Sequence, residues 1–198
     1  IPGLILMLWA QSRVKNTYAK YGKTPNYLGV TGAQAARQVL DANGLYNVPI
    51  EQTPGELTDH YDPRTKVLRL SAGIYIQPSV AAIGVASHEA GHAVQDAQGY
   101  APLRFRTAIV PAVSIGSNLG FILLFAGIII GLTELAWLGV ALFGLGTLFA
   151  LITLPVEFDA TRRAKATLTN LGLATREDSE GVAKMLNAAA WTYIAGFA

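Results

Sequence analysis

The sequence predicts a mostly α-helical integral membrane protein that carries a small α+β domain. Two charge-free runs, residues 107–133 and 135–156, predict the membrane part, because each reaches the roughly 20 apolar residues that a helix needs to cross the hydrocarbon layer. Only 14% of the residues are charged, against about 25% in soluble globular chains. Strand-like segments and capped helical segments upstream of these runs predict the α+β part.

Basic residues flank the apolar segments and predict their orientation. The flanking basic residues are Arg13, Lys15, Lys20, Lys23, Arg104, Arg106, Arg162, Arg163 and Lys165. The short link between the two central runs carries only one charge, that of Glu134. The positive-inside rule therefore places residues 11–106 and 157–187 in the cytoplasm and Glu134 on the outer side.

Both ends of the sequence are apolar but shorter than a full membrane span. The segments IPGLILMLWA and LNAAAWTYIAGFA are expected to belong to a first and a last transmembrane helix of a longer protein. The alternative is an amphipathic helix at each end. The predicted organisation is the end of a first transmembrane helix (1–10), a cytosolic domain (11–106), a transmembrane hairpin (107–156), a cytosolic helical segment (157–187) and the start of a last transmembrane helix (188–198).

Glycines in the first apolar run are spaced by four or seven positions, at Gly116, Gly120, Gly127 and Gly131. This spacing predicts close packing of the two helices, since small residues let helix backbones approach each other in a membrane. No charged residue occurs within either run, which argues against a pore for ions.

The segments between the membrane parts predict a helix, a strand pair and a second helix. TGAQAARQVLDANGL has Thr31 as its N-cap and Asn43-Gly44 as its stop. Asp62-Pro63 opens a turn between the strand-like segments LTDHY and KVLRL. The next helix is predicted from about Ser79 to Gln98, because Pro78-Ser79 can start a helix and Gly99 can end one.

The second of these helices carries the motif HEAGH, residues 88–92. On a helix, His88 and His92 lie one turn apart on the same face, so both imidazoles can bind one ion. This is the H-E-x-x-H pattern of zinc peptidases, in which the glutamate, here Glu89, takes a proton from a water that zinc activates. The alternative is a chance pattern, with both histidines satisfied by hydrogen bonds. The motif predicts Zn²⁺ bound by His88 and His92, with Glu89 as the catalytic general base.

The third zinc ligand must be a histidine or a carboxylate, because the chain has no cysteine. The best candidate is Glu157 in LPVEFDATRRA, where the second apolar run ends. Asp159 is the competing candidate, two residues on and so on a different helix face. In a third interpretation, Glu157 only caps the start of a helix.

Several other polar residues are candidates for supporting roles. Asp96 lies one turn beyond His92 and either holds a ligand histidine or is a solvated carboxylate near the helix end. His60 either stabilises an oxyanion or is a surface or packing residue. Tyr193 and Tyr100 are weaker candidates for the same task. The strand KVLRL is a possible edge for pairing with an extended peptide, and an ordinary structural strand fits it equally well. The net charge of +2 and the absence of a basic run interleaved with aromatics argue against nucleic-acid binding.

HEAGHAVQ, a transmembrane hairpin and then LPVEFDATRRA resemble the neutral zinc metallopeptidases of bacterial membranes, the YugP-type group. LTDHYDPRTKVLRLS also fits that group, so the resemblance covers nearly the whole chain. At longer range the arrangement is similar to HtpX-type and CAAX prenyl proteases. The resemblance implies His88, His92 and Glu157 as zinc ligands, Glu89 as general base, and a gluzincin-like cytosolic domain whose edge strand pairs with substrate. The HtpX-type pattern has an aspartate four residues after the ligand, where this sequence has Thr161, so the role of that aspartate is not transferred.

The sequence therefore predicts a zinc-dependent metalloendopeptidase of the bacterial cytoplasmic membrane with its active site on the cytosolic side. Its expected partners are the lipid bilayer and polypeptide substrates, membrane proteins among them. Two alternatives are a non-enzymatic zinc-containing membrane scaffold or adaptor and an intramembrane site-2-type protease. The apolar run 79–87 that precedes His88 is too short for zinc within the bilayer, which makes the second alternative the weaker one.

Overall fold

The computed structural model describes residues 2–197 of the protein. The fold is mostly helical, with one small sheet and two long apolar helices. In chain order the helices and strands are α1 (Pro2–Tyr21), α2 (Gly32–Ala42), β1 (Ile50–Thr53), β2 (His60–Asp62), β3 (Val67–Ser71), α3 (Ala72–Ile76), α4 (Val80–Ala97), α5 (Ala101–Ile130), α6 (Thr133–Asn170) and α7 (Arg176–Phe197).

Helix α2 begins at the residue that the sequence indicates. The hydroxyl of Thr31 accepts a hydrogen bond from the backbone N–H of Gln34, and the Gln34 side chain accepts one from the Thr31 backbone N–H. This capping box satisfies two backbone donors that the first turn would leave unpaired. The helix ends at Ala42, directly before Asn43-Gly44, as predicted.

The sheet has the strand order β1-β3-β2. β3 pairs with β1 in parallel and with β2 in antiparallel fashion, so KVLRL is the central strand. Of the two interpretations of KVLRL, the free edge for substrate is wrong and the structural strand is confirmed, because both of its edges are hydrogen-bonded within the protein. β2 is an outer strand of the sheet. The antiparallel pairing of β2 with β3 across the turn that Asp62-Pro63 opens is confirmed.

Helix α4 is the centre of the fold and is buried over most of its length. Ser79 caps it by accepting a hydrogen bond from the backbone N–H of Ala82. One apolar cluster joins α4 to α2 and β3, with Leu40, Leu68 and Leu70 fully buried. A second cluster joins α4 to α2, α6 and α7. Burial on several sides fixes the rotation of α4 and therefore the direction in which its polar side chains point.

Helices α5 and α6 are long and apolar enough, by length and composition, to cross a membrane, and within residues 2–197 they are the two helices that pass this test. They form the predicted hairpin, and Gly131 in the left-handed conformation (φ 72°) ends α5. At several glycines of their interface, the backbones of the two helices approach each other closely. A Cβ on Gly139 would lie 2.3 Å from the Leu124 backbone nitrogen, and one on Gly120 2.5 Å from that of Phe143.

Helices α1 and α7 pack against each other and bring the two ends of the described chain together. The rings of Trp9 and Trp191 meet edge to face at 5.7 Å between centroids. Leu4, Ile5 and Leu8 are exposed on α1. The predicted membrane location of residues 1–10 and 188–198 stays a prediction; residues 1 and 198 lie outside the described part of the chain.

Candidate metal centre

Three predicted ligands, His88 and His92 of α4 and Glu157 of α6, meet at one point. The Oε2 atom of Glu157 lies 3.2 Å from Nε2 of His88 and 3.7 Å from Nε2 of His92. One ligand atom from each residue lies within 4.8 Å of the others. His92 and Glu157 are buried and His88 is nearly so. Two helices far apart in sequence therefore present three potential ligands to a single position.

This geometry fits a zinc ion. Zinc binds histidine nitrogen and carboxylate oxygen at roughly 2.0–2.2 Å in tetrahedral sites, which puts neighbouring ligand atoms about 3.4 Å apart. The two nitrogen–oxygen distances of 3.2 and 3.7 Å bracket that value. Two nitrogens and one oxygen are also the kind of ligand set that catalytic zinc sites use when a fourth position is left for water.

The far side of each imidazole ring contacts a polar residue that the sequence did not single out for this task. The Nδ1 atom of His92 lies 2.9 Å from Oε1 of the buried Gln95. The Nδ1 atom of His88 lies 3.3 Å from the hydroxyl of Thr161 on α6. Hydrogen bonds at Nδ1 direct Nε2 toward the ligand point. Thr161 occupies the position at which the HtpX-type pattern has aspartate, and it contacts a predicted ligand.

Asp96 does not hold either histidine. Its carboxylate accepts a hydrogen bond from the Tyr61 hydroxyl at 2.8 Å and forms an ion pair with Lys66. Burial and the neighbouring Asp96 carboxylate raise the pKa of Tyr61, so its hydroxyl stays a donor. Of the two possible roles of Asp96, histidine support is wrong, and simple solvation is also incorrect, because the residue ties β2 and the turn after it to α4.

Asp159, the competing ligand candidate, points to the other side of α6. It forms ion pairs with Arg162 and Arg163 and accepts a hydrogen bond from Nε2 of Gln95 at 2.9 Å. It is not part of the group of potential ligands formed by the described residues. Asp159 lies two positions after Glu157, and residues two positions apart on a helix point about 200° apart.

Arg106 of α5 contacts the second oxygen of Glu157. Its guanidinium Nη1 donates to Oε1 at 3.2 Å, while Oε2 faces the two histidines. The sequence marks Arg106 only as a basic residue at the membrane boundary. Its contact with Glu157 depends on the packing of the hairpin, which no local pattern encodes.

Glu89 faces a cavity of about 540 Å³ that is also lined by His92, Glu157, Arg106 and Tyr193. Removal of the Glu89 carboxyl from bulk water raises its pKa above the ordinary value. Burial alone would lower the pKa of His92, but contacts with the Glu157 carboxylate outweigh burial and raise it. A raised pKa makes the Glu89 carboxylate a better proton acceptor.

The cavity extends between the outer strand of the sheet and the first turns of α5. Residues 59–64, which contain β2, form one wall, and Leu103, Thr107, Val110 and Pro111 of α5 form another. His60 lies on the cavity wall, exposed, with its Nδ1 2.8 Å from the Thr58 carbonyl oxygen. Tyr100 lies outside this set, with the guanidinium of Arg163 over its ring. Of the three oxyanion candidates, His60 and Tyr193 line the cavity.

Comparison with known proteins gives the site its family context. The whole chain, residues 1–198, matches the family described as "Putative neutral zinc metallopeptidase". It is 46% identical over 195 residues to the Bacillus subtilis (strain 168) protein named "Putative membrane protease YugP", an alignment that covers 98% of this chain and 87% of that one. No solved structure matches the chain. The relative's name and the two apolar helices indicate association with a membrane.

Proposed function

The chain belongs to the neutral zinc metallopeptidase family, and from this premise we propose that it is a membrane-embedded, zinc-dependent metalloendopeptidase. The observation that carries the proposal is the convergence of His88, His92 and Glu157 on one point, next to a cavity that Glu89 also lines. His88, His92 and Glu157 would hold Zn²⁺, and Glu89 would be the catalytic base. On this proposal the cytosolic part is gluzincin-like.

A bound zinc ion would supply a nucleophilic water at neutral pH and would polarise the peptide carbonyl. Glu89 accepts the proton of the attacking water and returns it to the leaving amine, as a general base and then a general acid. Its raised pKa makes the first step easier, because a more basic carboxylate is a better proton acceptor. A structural zinc site would not need a carboxylate in this position.

The substrate would lie along β2. β2 is an outer strand, and its residues line the cavity next to Glu89 and Glu157. An extended peptide can pair with such an edge through main-chain hydrogen bonds, whatever its side chains are. This role replaces the one that the sequence suggested for KVLRL. Pairing holds a peptide bond in an extended conformation beside the ligand point, as endopeptidase activity requires.

The cavity also borders the membrane part, which suggests substrates at or near the bilayer. Val110 and Pro111, apolar residues of α5, line the cavity together with the polar residues of β2. Arg106 and Arg162 lie near the ends of α5 and α6 that adjoin the site, and Glu134 lies at the opposite end of the hairpin. The positive-inside rule therefore favours an active site on the cytosolic face of the bacterial cytoplasmic membrane.

Cleavage by a matched pair of proteins tests the proposal. Wild type and Glu89→Gln are purified in detergent, loaded with zinc, and incubated with an unstructured protein such as casein. We expect Glu89→Gln to lose about 10²–10⁴-fold in rate and to keep its zinc, because Glu89 is not among the proposed ligands. Equal cleavage by both proteins contradicts the role of Glu89. No cleavage by wild type, with zinc bound, favours the scaffold alternative.

A further inference from the structure

Gln95 is a fully buried polar side chain at the interface of α4 and α6, and the proposed mechanism gives it no role. Its Nε2 donates to the Val156 carbonyl oxygen and to the Asp159 carboxylate, each at 2.9 Å. Its Oε1 faces Nδ1 of His92 at 2.9 Å. A single amide therefore connects a predicted zinc ligand on α4 to the helix that carries Glu157.

The surroundings of Gln95 determine which way its amide points. A carbonyl oxygen and a carboxylate can only accept hydrogen bonds, and the NH₂ group of glutamine has two protons to give. The two acceptors on α6 therefore take both of them. Turning the amide over would set Oε1 against these two oxygens, which repel it, and would break both hydrogen bonds.

Asp159 in turn is held as an anion. Its two carboxylate oxygens form ion pairs with Arg162 and Arg163. An ionised carboxylate has no proton to donate to Gln95. The direction of each hydrogen bond is therefore fixed from the arginines, through Asp159, to the glutamine.

Because Oε1 of Gln95 must accept, Nδ1 of His92 must carry a proton. The structure assigns Gln95 as a positioning residue that fixes the tautomer of His92 and directs its Nε2 toward the ligand point, with Asp159 setting the orientation of Gln95. This inference rests on the proposed zinc site and deepens it. In this tautomer Nε2 is unprotonated and would be free to bind zinc, while Nδ1 would keep its proton and its hydrogen bond to Gln95.

The first test measures zinc affinity with a chromophoric chelator as competitor, on purified full-length protein. Gln95→Met removes the acceptor and both donors at nearly constant volume. Loss of a support for a ligand histidine typically weakens metal binding by about 10–100-fold, and we expect a loss in that range. Gln98→Met is the matched control, because Gln98 contacts Arg163 from the end of α4 but does not contact His92. Equal zinc affinity of Gln95→Met and wild type overturns the inference.

The second test reads the tautomer in zinc-free protein. The chain has three histidines, so a His60→Asn background leaves the two ring systems of interest for long-range ¹H–¹⁵N correlation spectra. At a pH where His92 is neutral, we expect a single tautomer with the proton on Nδ1. In Gln95→Met we expect a mixture. A His92 that carries its proton on Nε2 in the otherwise wild-type protein overturns the inference.

A compensating pair of substitutions tests the inference if the Gln95→Met protein does not fold. Gln95→Glu places a carboxylate against Asp159 and should weaken zinc binding. Adding Asp159→Asn supplies an amide that can donate to that carboxylate, which still accepts from His92. We expect the double variant to bind zinc at least about tenfold more tightly than Gln95→Glu alone; affinity no better than that of the single variant contradicts the inference. All three tests read metal binding or tautomer, so they are separate from the cleavage assay.

Discussion

The two halves of α6 pack in opposite ways. Before Pro155 the helix is apolar, and much of it is exposed apart from its contact with α5, where Gly139 meets the backbone of Leu124. After Pro155 it is buried against α4 and carries Glu157, Asp159 and Thr161. We call the first interface the membrane seam (α5 with residues 133–154) and the second the site seam (α4 with residues 156–170).

The difference shows what determines the packing geometry of each interface. The membrane seam has few polar partners, so close backbone approach at glycines decides its geometry. The site seam uses both close approach and directed hydrogen bonds: a Cβ on Gly91 would lie 3.0 Å from the Ala160 carbonyl oxygen, and Gln95 bonds across the same interface. The proposed zinc ligand Glu157 lies where α6 changes from one partner to the other.

The largest effect is expected at the site seam, from Gly91→Leu. The added side chain meets backbone at Ala160 and should push α6 away from α4, at a cost near the upper end of the roughly 1–3 kcal/mol usual for overpacking. Glu157 would move away from the histidines, so zinc affinity should fall as well. Gly84→Leu is the control, since Gly84 lies on the same helix as Gly91 but faces the Val182 side chain of α7. It should reduce the unfolding free energy with no comparable loss of zinc. Normal zinc affinity in Gly91→Leu would contradict the account of the site seam.

A bulky side chain introduced into the membrane seam should reduce the stability of the protein without changing its zinc affinity. Gly139→Leu is expected to lower the unfolding free energy by about 1–3 kcal/mol, measured by denaturation in detergent, with zinc affinity unchanged. Gly144→Leu on the same helix should be nearly neutral, because no atom lies within 4 Å of a Cβ built there. Equal destabilisation by both substitutions would mean that glycine contacts do not set this interface.

A smaller effect is expected from Thr161→Val, which removes the hydroxyl beside Nδ1 of His88 and keeps the shape of the side chain. The contact is long, at 3.3 Å, so zinc affinity should fall by about tenfold, at the lower limit for such supports. Thr169→Val is the control, because the Thr169 hydroxyl bonds the Lys165 carbonyl oxygen of its own helix. The same zinc affinity in both variants would show that His88 does not depend on α6 for its orientation.

The smallest effect concerns the outer strand that lines the cavity. Tyr61→Phe removes the hydrogen bond from the Tyr61 hydroxyl to Asp96 and should reduce stability by about 1 kcal/mol. Tyr46→Phe, at an exposed tyrosine, should have no measurable effect. Chemical denaturation of the two variants beside wild type gives the comparison. A Tyr61→Phe protein as stable as wild type would mean that this bond does not anchor β2.

Local patterns predicted much of the fold because the relevant contacts are local. Thr31 and Gln34 are three residues apart, and β2 and β3 are joined by a short turn, so composition and spacing suffice to predict them. The strand order could not be read this way. β1 is short and mostly polar, and its pairing with β3 skips β2, the strand that follows it in the sequence. KVLRL therefore looked like a possible edge although it lies at the centre.

The candidate ligands could be predicted because helical spacing puts His88 and His92 on one face and because Glu157 follows an apolar run. The residues that support these ligands could not be predicted from the sequence. Gln95 and Asp96 lie three and four residues after His92, and both spacings allow contact on a helix. The choice between them depends on Val156 and Asp159 across the site seam. Arg106 reaches Glu157 only because the hairpin returns α6 beside α5.

The most direct test of the account is the zinc content of Glu157→Ala, measured by elemental analysis of purified full-length protein. Asp96→Asn is the control, since it removes a carboxylate that bonds Tyr61 and Lys66 rather than the histidines. We expect about one zinc per chain in wild type and in Asp96→Asn, and little in Glu157→Ala, because two imidazoles alone hold zinc weakly. A full complement of zinc in Glu157→Ala would contradict the assignment of Glu157 as the third ligand.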